Sequence, residues 1–362
     1  MDNHSDPTIR FDELGQCNYC THALEMKKKY YFPNSVGADK LASLLTEVKN
    51  SGLHRKYDCI MGLSGGLDSS YLVYLGHKWG LRVLAVHIDD GFDSEIASRN
   101  LQKLVNATGF DYLVVKPDSG QFAELTKAYL RAGLPNAAVP QDNVLFAFLY
   151  DCVKRNKIRF FFSGSNFALE NILQRGGTYD NTDLRNLRDV HRAHGSGPID
   201  RLKFISAARV LVLRVFYRLR IVQPLDFLDY NRDKALSELA SFCEYEYYGA
   251  KHLENKLTEF IQLYWLPRKF GVDKRTSHLS SLIVSGQLTR EAALAEYLKP
   301  AYRDHDMDEC LELVKAKLML TDEEFDGLMS ADVRAHTDFR TSRFNRALRA
   351  ARKLRTMAIF SK

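Results

Sequence analysis

Long apolar runs, internal repeats and low-complexity tracts are all missing from this chain of 362 residues. No stretch of about 18 or more apolar residues occurs, so the sequence predicts no membrane-spanning helix. A hydrophobic content of 45% and a charged content of 27% are those of an ordinary globular protein. The length favours two domains, or one large domain with an appendage.

Cysteine is also scarce. The chain has six cysteines, four of them scattered, which is not a disulfide framework and favours a reducing compartment. The first residues (MDNHSDPTIRFDELG) are acidic and polar, which is not typical of a secretory signal. Both features predict a cytoplasmic protein.

Acidic residues are absent from the last 23 positions, 340–362, where eight Lys and Arg side chains lie. Subtracting these eight charges from the net charge of +6 leaves −2 for the rest of the chain. A nucleic-acid enzyme more often spreads basic charge over a binding face, so no nucleic-acid partner is expected. We interpret the tail as a solvent-facing helix, with docking on an acidic protein or an anionic membrane as alternatives.

Short apolar runs alternate with helical patterns through the first two thirds of the chain. The predicted strands are Tyr57–Leu63, Leu81–Ile88, Tyr112–Val115, Arg159–Phe162 and Arg220–Gln223. The predicted helices between and after them are 70–79, 96–108, 142–155 and 234–243. This alternation predicts an α/β fold: a doubly wound, parallel, five-stranded sheet with helices on both faces. Such sheets bind ligands beyond the carboxyl ends of their strands.

Only helical patterns follow residue 249. They cover 255–266, 277–285, 289–298, 307–318 and the basic tail, and Thr321 with Glu324 fits a capping box. We therefore expect an N-terminal segment (1–36), an α/β domain (37–248) and a helical C-terminal domain (249–362). The helix expected within Leu202–Ile221 fits a cover for the sheet, and a weak peripheral contact with a membrane is the alternative.

A glycine-rich turn follows the first predicted strand. It reads SGGLDSS over Ser64–Ser70, and its glycines let the backbone approach a ligand closely. The helix after it offers unpaired N–H groups of positive character, which suits phosphate. Asp68 would repel phosphate directly but can hold a bridging Mg²⁺. The turn is not a Walker A loop, because the lysine of G-x-x-x-x-G-K-S/T is absent, and no G-x-G-x-x-G is present.

At this motif, SGGxDS, the chain resembles the PP-loop ATP pyrophosphatases. The resemblance implies cleavage of ATP between its α- and β-phosphates and transfer of AMP to a carbonyl oxygen of the substrate. The implied residues for ATP and pyrophosphate are Leu63, Ser64, Gly65, Gly66, Leu67, Asp68, Ser69, Ser70, His87, Ile88, Asp89, Gly164, Ser165 and Asn166.

Longer stretches resemble the N-acetyl sugar amidotransferases of lipopolysaccharide and other surface-polysaccharide pathways. These stretches are Pro140–Asp142, Phe162–Glu170, Tyr248–Glu254 (YGAKHLE), Trp265–Arg275 and His278–Gln287. The resemblance implies that ATP activates the acetamido group of a nucleotide-linked sugar, that ammonia attacks, and that an acetamidino sugar forms for the O-antigen.

Basic and acidic side chains crowd the same region, and cationic groups suit a uronate or a nucleotide diphosphate. The substrate candidates are Lys251, His252, Lys274, Arg275 and His278, and the catalytic candidates are Asp68, Lys251, His252 and Glu254. A salt-bridged helix surface is the alternative interpretation of this cluster. The general base stays open among Asp89, His252 and Glu254.

Ammonia should come from glutamine, but no cysteine here has the setting of a glutaminase nucleophile. We therefore expect a separate class-I glutaminase subunit as partner. Two other functions stay open: a tRNA thiolase or tRNA lysidine-type synthetase with the same turn, and a non-catalytic nucleotide-binding subunit.

Cys17 and Cys20 form a CxxC pair, which is half of a structural zinc site. The amidotransferase family usually carries a second such pair just upstream, and this chain begins as though it started after that pair. His4 or His22 could complete a Zn²⁺ site, and two unliganded cysteines are the alternative.

Overall fold

The computed structural model describes residues 6, 8–174, 178–249, 251–302 and 304–360, with the backbone alone for 304, 305 and 352–360. His4 lies outside the described residues, as do Lys362 and the side chains of Arg352, Lys353 and Arg355, which are four of the eight basic residues of the tail.

Five parallel strands form one sheet in the order β3-β2-β1-β4-β5. Their bounds are β1 (Cys59–Gly62), β2 (Val83–Ile88), β3 (Asp111–Val115), β4 (Phe160–Phe162) and β5 (Arg220–Val222). Each lies within, or extends by one residue, a run predicted to be a strand. The predicted α/β sheet is therefore confirmed. From β1 the chain adds strands towards one edge of the sheet, and from β4 towards the other edge. This switch point places a crevice at the carboxyl ends of β1 and β4.

Alternate side chains of the buried strands face two different cores, as the pleat of a strand requires. Cys59 and Met61 of β1 belong to one hydrophobic cluster, and Ile60 belongs to another on the opposite face. Burial on both faces explains why β1 and β4 carry no polar side chain, whereas β3 at the edge of the sheet is largely exposed. The sheet is thus doubly wound.

Ten helices surround the sheet or precede it within the described residues. They are α1 (Asn18–Tyr30), α2 (Ser35–Gly52), α3 (Leu67–Lys78), α4 (Glu95–Thr108), α5 (Ser119–Arg131), α6 (Val139–Arg155), α7 (Phe167–Glu170), α8 (Leu184–His194), α9 (Ala207–Phe216) and α10 (Arg232–Cys243). A short 3-10 helix follows β5 at Pro224–Phe227.

Seven further helices make up the C-terminal region. They are α11 (Lys256–Phe260), α12 (Leu266–Phe270), α13 (Arg275–Ser285), α14 (Arg290–Tyr297), α15 (Asp304–Leu318), α16 (Asp322–Ser330) and α17 (Arg343–Phe360). A π-helical turn at Ile261–Trp265 joins α11 to α12, and Thr321 caps α16 in the expected capping box with Glu324. Within the described residues, no helix combines the length and the apolar character needed to cross a bilayer.

Residues from before and after position 249 share one hydrophobic core. Phe122 and Tyr129 of α5 pack in the same cluster as Phe260, Trp265 and the buried face of α15. We keep the three-part division of the chain as a proposal.

The first helix after the turn begins earlier than expected. It was predicted from about Ser70, but α3 starts at Leu67 with Gly66 in the capping position. Asp68 and Ser69 therefore lie in the first turn of a helix, where a carboxylate is favoured by the helix dipole. The helical pattern was misplaced because Gly, Asp and Ser are typical of turns, and in this chain they open a helix.

Candidate active site

The glycine-rich turn connects the end of β1 to α3 at the centre of the sheet. Gly65 has a φ of +83°, and a Cβ built on it would lie 2.9 Å from the Cβ of Ala97. Both the backbone conformation and the lack of space therefore require glycine at this position.

Two serine hydroxyls hold the turn in shape from within. Ser69 Oγ accepts a hydrogen bond from the backbone N–H of Ser64 at 3.2 Å and lies 3.1 Å from Ser64 Oγ. Ser64 Oγ in turn accepts from the N–H of Gly66 at 3.2 Å. The two hydroxyls that were predicted to bind pyrophosphate thus also shape the turn.

Two backbone amides at the start of α3 face open space. No described residue accepts a hydrogen bond from the N–H of Asp68 or of Ser69. Gly164, after β4, leaves room in front of them, because a Cβ built there would come within 3.0 Å of Ser69 N. Unpaired amides at a helix start, next to a space that only glycine leaves open, form a site for an anion such as phosphate.

Three tyrosines support the turn from behind, and the sequence analysis did not identify them. Tyr245 donates to the carbonyl of Gly65 at 3.0 Å, and the hydroxyl of Tyr248 accepts from the N–H of Leu67 at 2.9 Å. Tyr230 donates to Asp68 Oδ1. Burial and the nearby Asp68 carboxylate raise the pKa of Tyr230 well above its usual value, so it stays a donor. The sequence EYEYY over residues 244–248 contains Tyr245 and Tyr248 and was the one local feature that pointed to them.

Lys251 joins the turn to the C-terminal region. Its Nζ lies 2.6 Å from Asp68 Oδ2 and 3.0 Å from Glu170 Oε1, and all three side chains are at most 24% exposed. Burial opposes the charge on Lys251, but the two carboxylates outweigh it and raise the pKa of this lysine. Burial likewise opposes ionisation of Glu170, yet Lys251 lowers the pKa of that carboxyl. Glu170 is a site residue that sequence reasoning quoted only within a longer motif.

His252 and Glu254 lie beside this network. His252 has a φ of +67°, which is uncommon for a residue other than glycine, and its Nε2 is 3.7 Å from Glu170 Oε1. Glu254 Oε1 occupies the space next to Gly66, where a Cβ would lie 2.5 Å from it. Glu254 Oε2 is buried without a hydrogen-bond partner among the described residues. A buried carboxylate oxygen without a donor is costly, and a bound ligand could supply that donor.

The end of β2 contributes differently from what the motif implied. His87 is buried, with Nδ1 2.8 Å from the Leu63 carbonyl and Nε2 2.8 Å from Asp93 Oδ2. Burial lowers the pKa of His87, but Asp93 outweighs this and raises it. Asp89 pairs with Lys116 at 2.8 Å and does not line the cavity described below, whereas Asp90 does.

The loop after β4 brings Gly164 and Ser165 to the cavity but directs Asn166 away from it. Asn166 is buried, caps α7 by accepting from the N–H of Leu169 at 3.0 Å, and donates to the Gly164 carbonyl at 3.1 Å. Its place in the motif is therefore explained by the shape of the loop.

Of the predicted substrate residues, Lys251 and His252 line the cavity described below, whereas Lys274, Arg275 and His278 do not. His278 packs against His252 with ring centroids 5.6 Å apart, and burial with the adjacent cations lowers its pKa well below the usual value. Burial also lowers the pKa of Lys274, against the nearby Asp142. The guanidinium of Arg275 is instead bound to Asp273 at 2.7 Å and to the Lys299 carbonyl at 2.8 Å.

A cavity of about 400 Å³ unites these elements at the carboxyl ends of the strands. One part of its wall is apolar and includes Val86, Ile88, Leu145, Phe146 and Phe161. The other part is polar and includes Ser64, Asp68, Ser69, Asp142, Glu170, Arg232, Lys251, His252 and Glu254. Arg232, at the start of α10, is an exposed cation at this site that the sequence analysis missed.

The CxxC pair lies apart from this cavity. Cys17 caps α1, and its Sγ is 3.4 Å from that of Cys20. The hydrogen bond from Cys20 lowers the pKa of Cys17 to about 6. Within the part of the chain that is described, no group of three or more His, Cys, Asp or Glu side chains could hold a metal ion. His22 is exposed, and His4 lies outside the described residues.

Comparison with known proteins adds a family to the C-terminal region. Residues 254–355 match the family described as LPS biosynthesis protein WbpG-like, C-terminal domain. This match begins at Glu254, the last residue of the loop that meets Asp68, and covers 102 residues. No curated protein matches the chain.

Solved structures of synthetases are similar in fold. An NMN synthetase from Francisella tularensis is 15% identical, with a TM-score of 0.31, over 65% of this chain and 93% of that one. An NAD⁺ synthetase from Burkholderia pseudomallei is 15% identical, with a TM-score of 0.31, over 65% and 96%. An NH₃-dependent NAD synthetase from Campylobacter jejuni is 12% identical, with a TM-score of 0.30, over 57% and 93%. These similarities are weak.

Proposed function

We propose that this protein is an ATP-dependent amidotransferase that converts the acetamido group of a nucleotide-linked N-acetylated sugar into an acetamidino group. The observation that carries the proposal is the contact between Asp68 and Lys251 at 2.6 Å. It joins a turn suited to phosphate with a loop that leads directly into the region matching an LPS biosynthesis family. Activation and acceptor chemistry would then take place in one cavity.

The ATP half of the proposal rests on the turn. The amides of Asp68 and Ser69, the hydroxyl of Ser64 and the start of α3 would bind the departing pyrophosphate. The apolar wall near Ile88 and Phe161 would receive the adenine. ATP would be cleaved to AMP and pyrophosphate.

Magnesium would fit between two carboxylates. Asp68 Oδ2 and Glu170 Oε1 already converge on one cation, the Lys251 ammonium, and carboxylate oxygens are ligands that Mg²⁺ prefers. Phosphate oxygens would complete its coordination, and the ion would supply charge neutralisation. Lys251 would then move towards the phosphates, whose charge it can also balance. Zinc is not part of the proposal.

The acceptor half is supported by the match of residues 254–355 to an LPS biosynthesis family. The acetamido oxygen attacks the α-phosphorus and pyrophosphate leaves, which forms an O-adenylated imidate. Ammonia attacks the imidate carbon, and AMP leaves with the former amide oxygen. Arg232 and Lys251 line the cavity and would provide cations for a uronate or a nucleotide diphosphate. His252 and Glu254, which line the cavity, are placed to accept the proton that ammonia loses.

We further propose that a class-I glutaminase subunit delivers the ammonia in a reducing cytoplasm. Cys59, Cys152, Cys243 and Cys310 are buried free thiols, and burial raises the pKa of each, which does not suit a glutaminase nucleophile.

The test supplies ATP, Mg²⁺, ammonium and a panel of nucleotide-linked diacetamido uronic acids, and follows pyrophosphate and product mass. A product one mass unit lighter than its substrate, because NH replaces O, supports the proposal. Turnover with tRNA and with no sugar would instead support a tRNA thiolase or lysidine-type synthetase. ATP binding without pyrophosphate release under any amine supply would support a non-catalytic nucleotide-binding subunit.

A further inference from the structure

Helix α9 exposes most of its apolar side chains. Only Ala207 and Leu213 are buried, and Leu213 packs with Ile60 and Phe161 on one face of the sheet. The expected cover for the sheet thus uses a narrow stripe of the helix. On its outer side Val215 is 59% exposed and Phe216 is 78% exposed, with Leu211 and Val212 beside them. Solvent contact with this much apolar surface on one short helix marks an interaction site.

Unpaired arginines accompany these apolar side chains. Lys203 and Arg220, at the two ends of this segment, are paired with Asp151 and Glu47. By contrast Arg209, Arg214 and Arg218 are exposed and have no ion pair with any other described residue. No acidic residue occurs between positions 201 and 225.

The first turns of α17 extend the same surface. Leu211 and Arg214 of α9 line one cavity together with Leu348 and Arg349 of α17, so the two helices are neighbours. Phe344 is 42% exposed, and Arg343, Arg346 and Arg349 are exposed. We call this the α9–α17 surface. It consists of Leu211, Val212, Val215, Phe216, Phe344, Arg209, Arg214, Arg218, Arg343, Arg346 and Arg349.

We propose that the α9–α17 surface docks on an anionic membrane. The apolar side chains and the arginines project from the same helical turns. A partner must therefore present anionic groups and apolar groups next to each other. A lipid surface does so, because arginine can reach the phosphates while Phe and Val enter the acyl boundary. A protein partner would instead need several carboxylates placed around an apolar pocket. The proposal is independent of the reaction, since none of these exposed residues lines the cavity of the candidate active site.

The experiment measures binding of the full chain to vesicles by co-sedimentation. Vesicles of phosphatidylcholine alone are compared with vesicles that also contain phosphatidylglycerol, at low and high salt. We expect binding to the anionic vesicles and its loss at high salt. Val215→Ser with Phe216→Ser, and separately Arg214→Gln with Arg218→Gln, should each weaken binding by about tenfold or more.

A matched control uses Arg290 at the start of α14 and Leu298 just after its end, which are both exposed. Arg290→Gln with Leu298→Ser should leave vesicle binding unchanged, and thermal unfolding of every variant establishes that it is folded. Equal binding to both kinds of vesicle, no binding at low salt, or an equal loss in the α14 variant would overturn the proposal. So would light scattering that shows a dimer broken by Phe216→Ser without any vesicle binding, because a second copy would then be the occupant.

Discussion

The cations of the candidate active site and those of the α9–α17 surface differ in their partners. Lys251 is buried between two carboxylates, whereas Arg209, Arg214 and Arg218 stand in solvent without an ion pair among the described residues. A buried charge persists only when its partners compensate for lost hydration, so Lys251 is part of a fixed network. An exposed arginine retains its hydration and is free to meet an external anion. The surroundings of a basic residue, rather than its type, therefore distinguish Lys251 in the candidate site from the arginines proposed to dock on a membrane.

The largest expected effect comes from removing the buried cation. Lys251→Met should lower kcat/KM by about 10²–10³, because a charge aimed at the developing phosphate charge is lost. It should also lower the free energy of unfolding by up to about 3 kcal/mol, since Asp68 and Glu170 would lie close together without compensation. Turnover of the sugar and urea unfolding measure the two effects.

A second variant tests the effect of Lys251 on stability. Adding Asp68→Asn to Lys251→Met removes one uncompensated carboxylate, so stability should recover, while turnover should stay low because Asp68 is itself proposed to hold Mg²⁺. Recovery of turnover in the double variant would show that Lys251 acts only as a counter-ion.

The next effect tests the space in front of the free amides. Gly164→Ala would place a methyl group within 3.0 Å of Ser69 N and should reduce turnover by about tenfold to a hundredfold. Gly327→Ala, in α16 with no atom within 4 Å of the added Cβ, is the control and should leave turnover intact. An unaffected Gly164→Ala enzyme would mean that the phosphate does not approach these amides.

A smaller effect concerns Asp142, whose pKa burial raises to about 6. The folded state therefore holds a proton more tightly than the unfolded chain, and stability is lost as pH rises from about 4 to about 6. Asp142→Asn should remove this loss and raise the free energy of unfolding by up to about 2 kcal/mol at pH 8, with no gain at pH 4. Denaturant unfolding at both pH values measures it. A gain of equal size at pH 4 would point to packing instead of charge.

The smallest effect is expected for the exposed arginines of the α9–α17 surface. Arg214→Gln with Arg218→Gln should change the free energy of unfolding by no more than about 0.5 kcal/mol and leave turnover with a water-soluble sugar unchanged. A larger loss of stability would show that these arginines are structural, contrary to their exposure.

Local patterns were sufficient for much of the fold. Strands β1, β2 and β4 were predictable because continuous apolar runs are typical of strands buried on both faces, and the capping box at Thr321 indicated the start of α16. Helices α1, α2, α5, α7 and α8 were not predicted, although α5 buries eight of its thirteen residues. The start of α3 was misplaced because its first turn has the composition of a loop.

The candidate site was only partly predictable, for a related reason. A glycine-rich turn after a strand indicates an anion site from sequence alone, since the backbone conformation depends on neighbouring residues. Glu170, Arg232 and the supporting tyrosines carry no local signal of that kind. They belong to the site because the chain brings them to one edge of the sheet.

The amino-acid sequence by itself therefore determined the parallel sheet, the glycine-rich turn and the basic tail, because periodicity, glycine spacing and charge are local properties. Only the tertiary structure decided that Lys251 would meet Asp68, that Arg275 would bind Asp273 instead of facing the cavity, and that α9 would leave Phe216 in solvent. Which charges are paired and which apolar faces are covered depends on contacts between residues far apart in the chain, and these contacts form only when the elements pack.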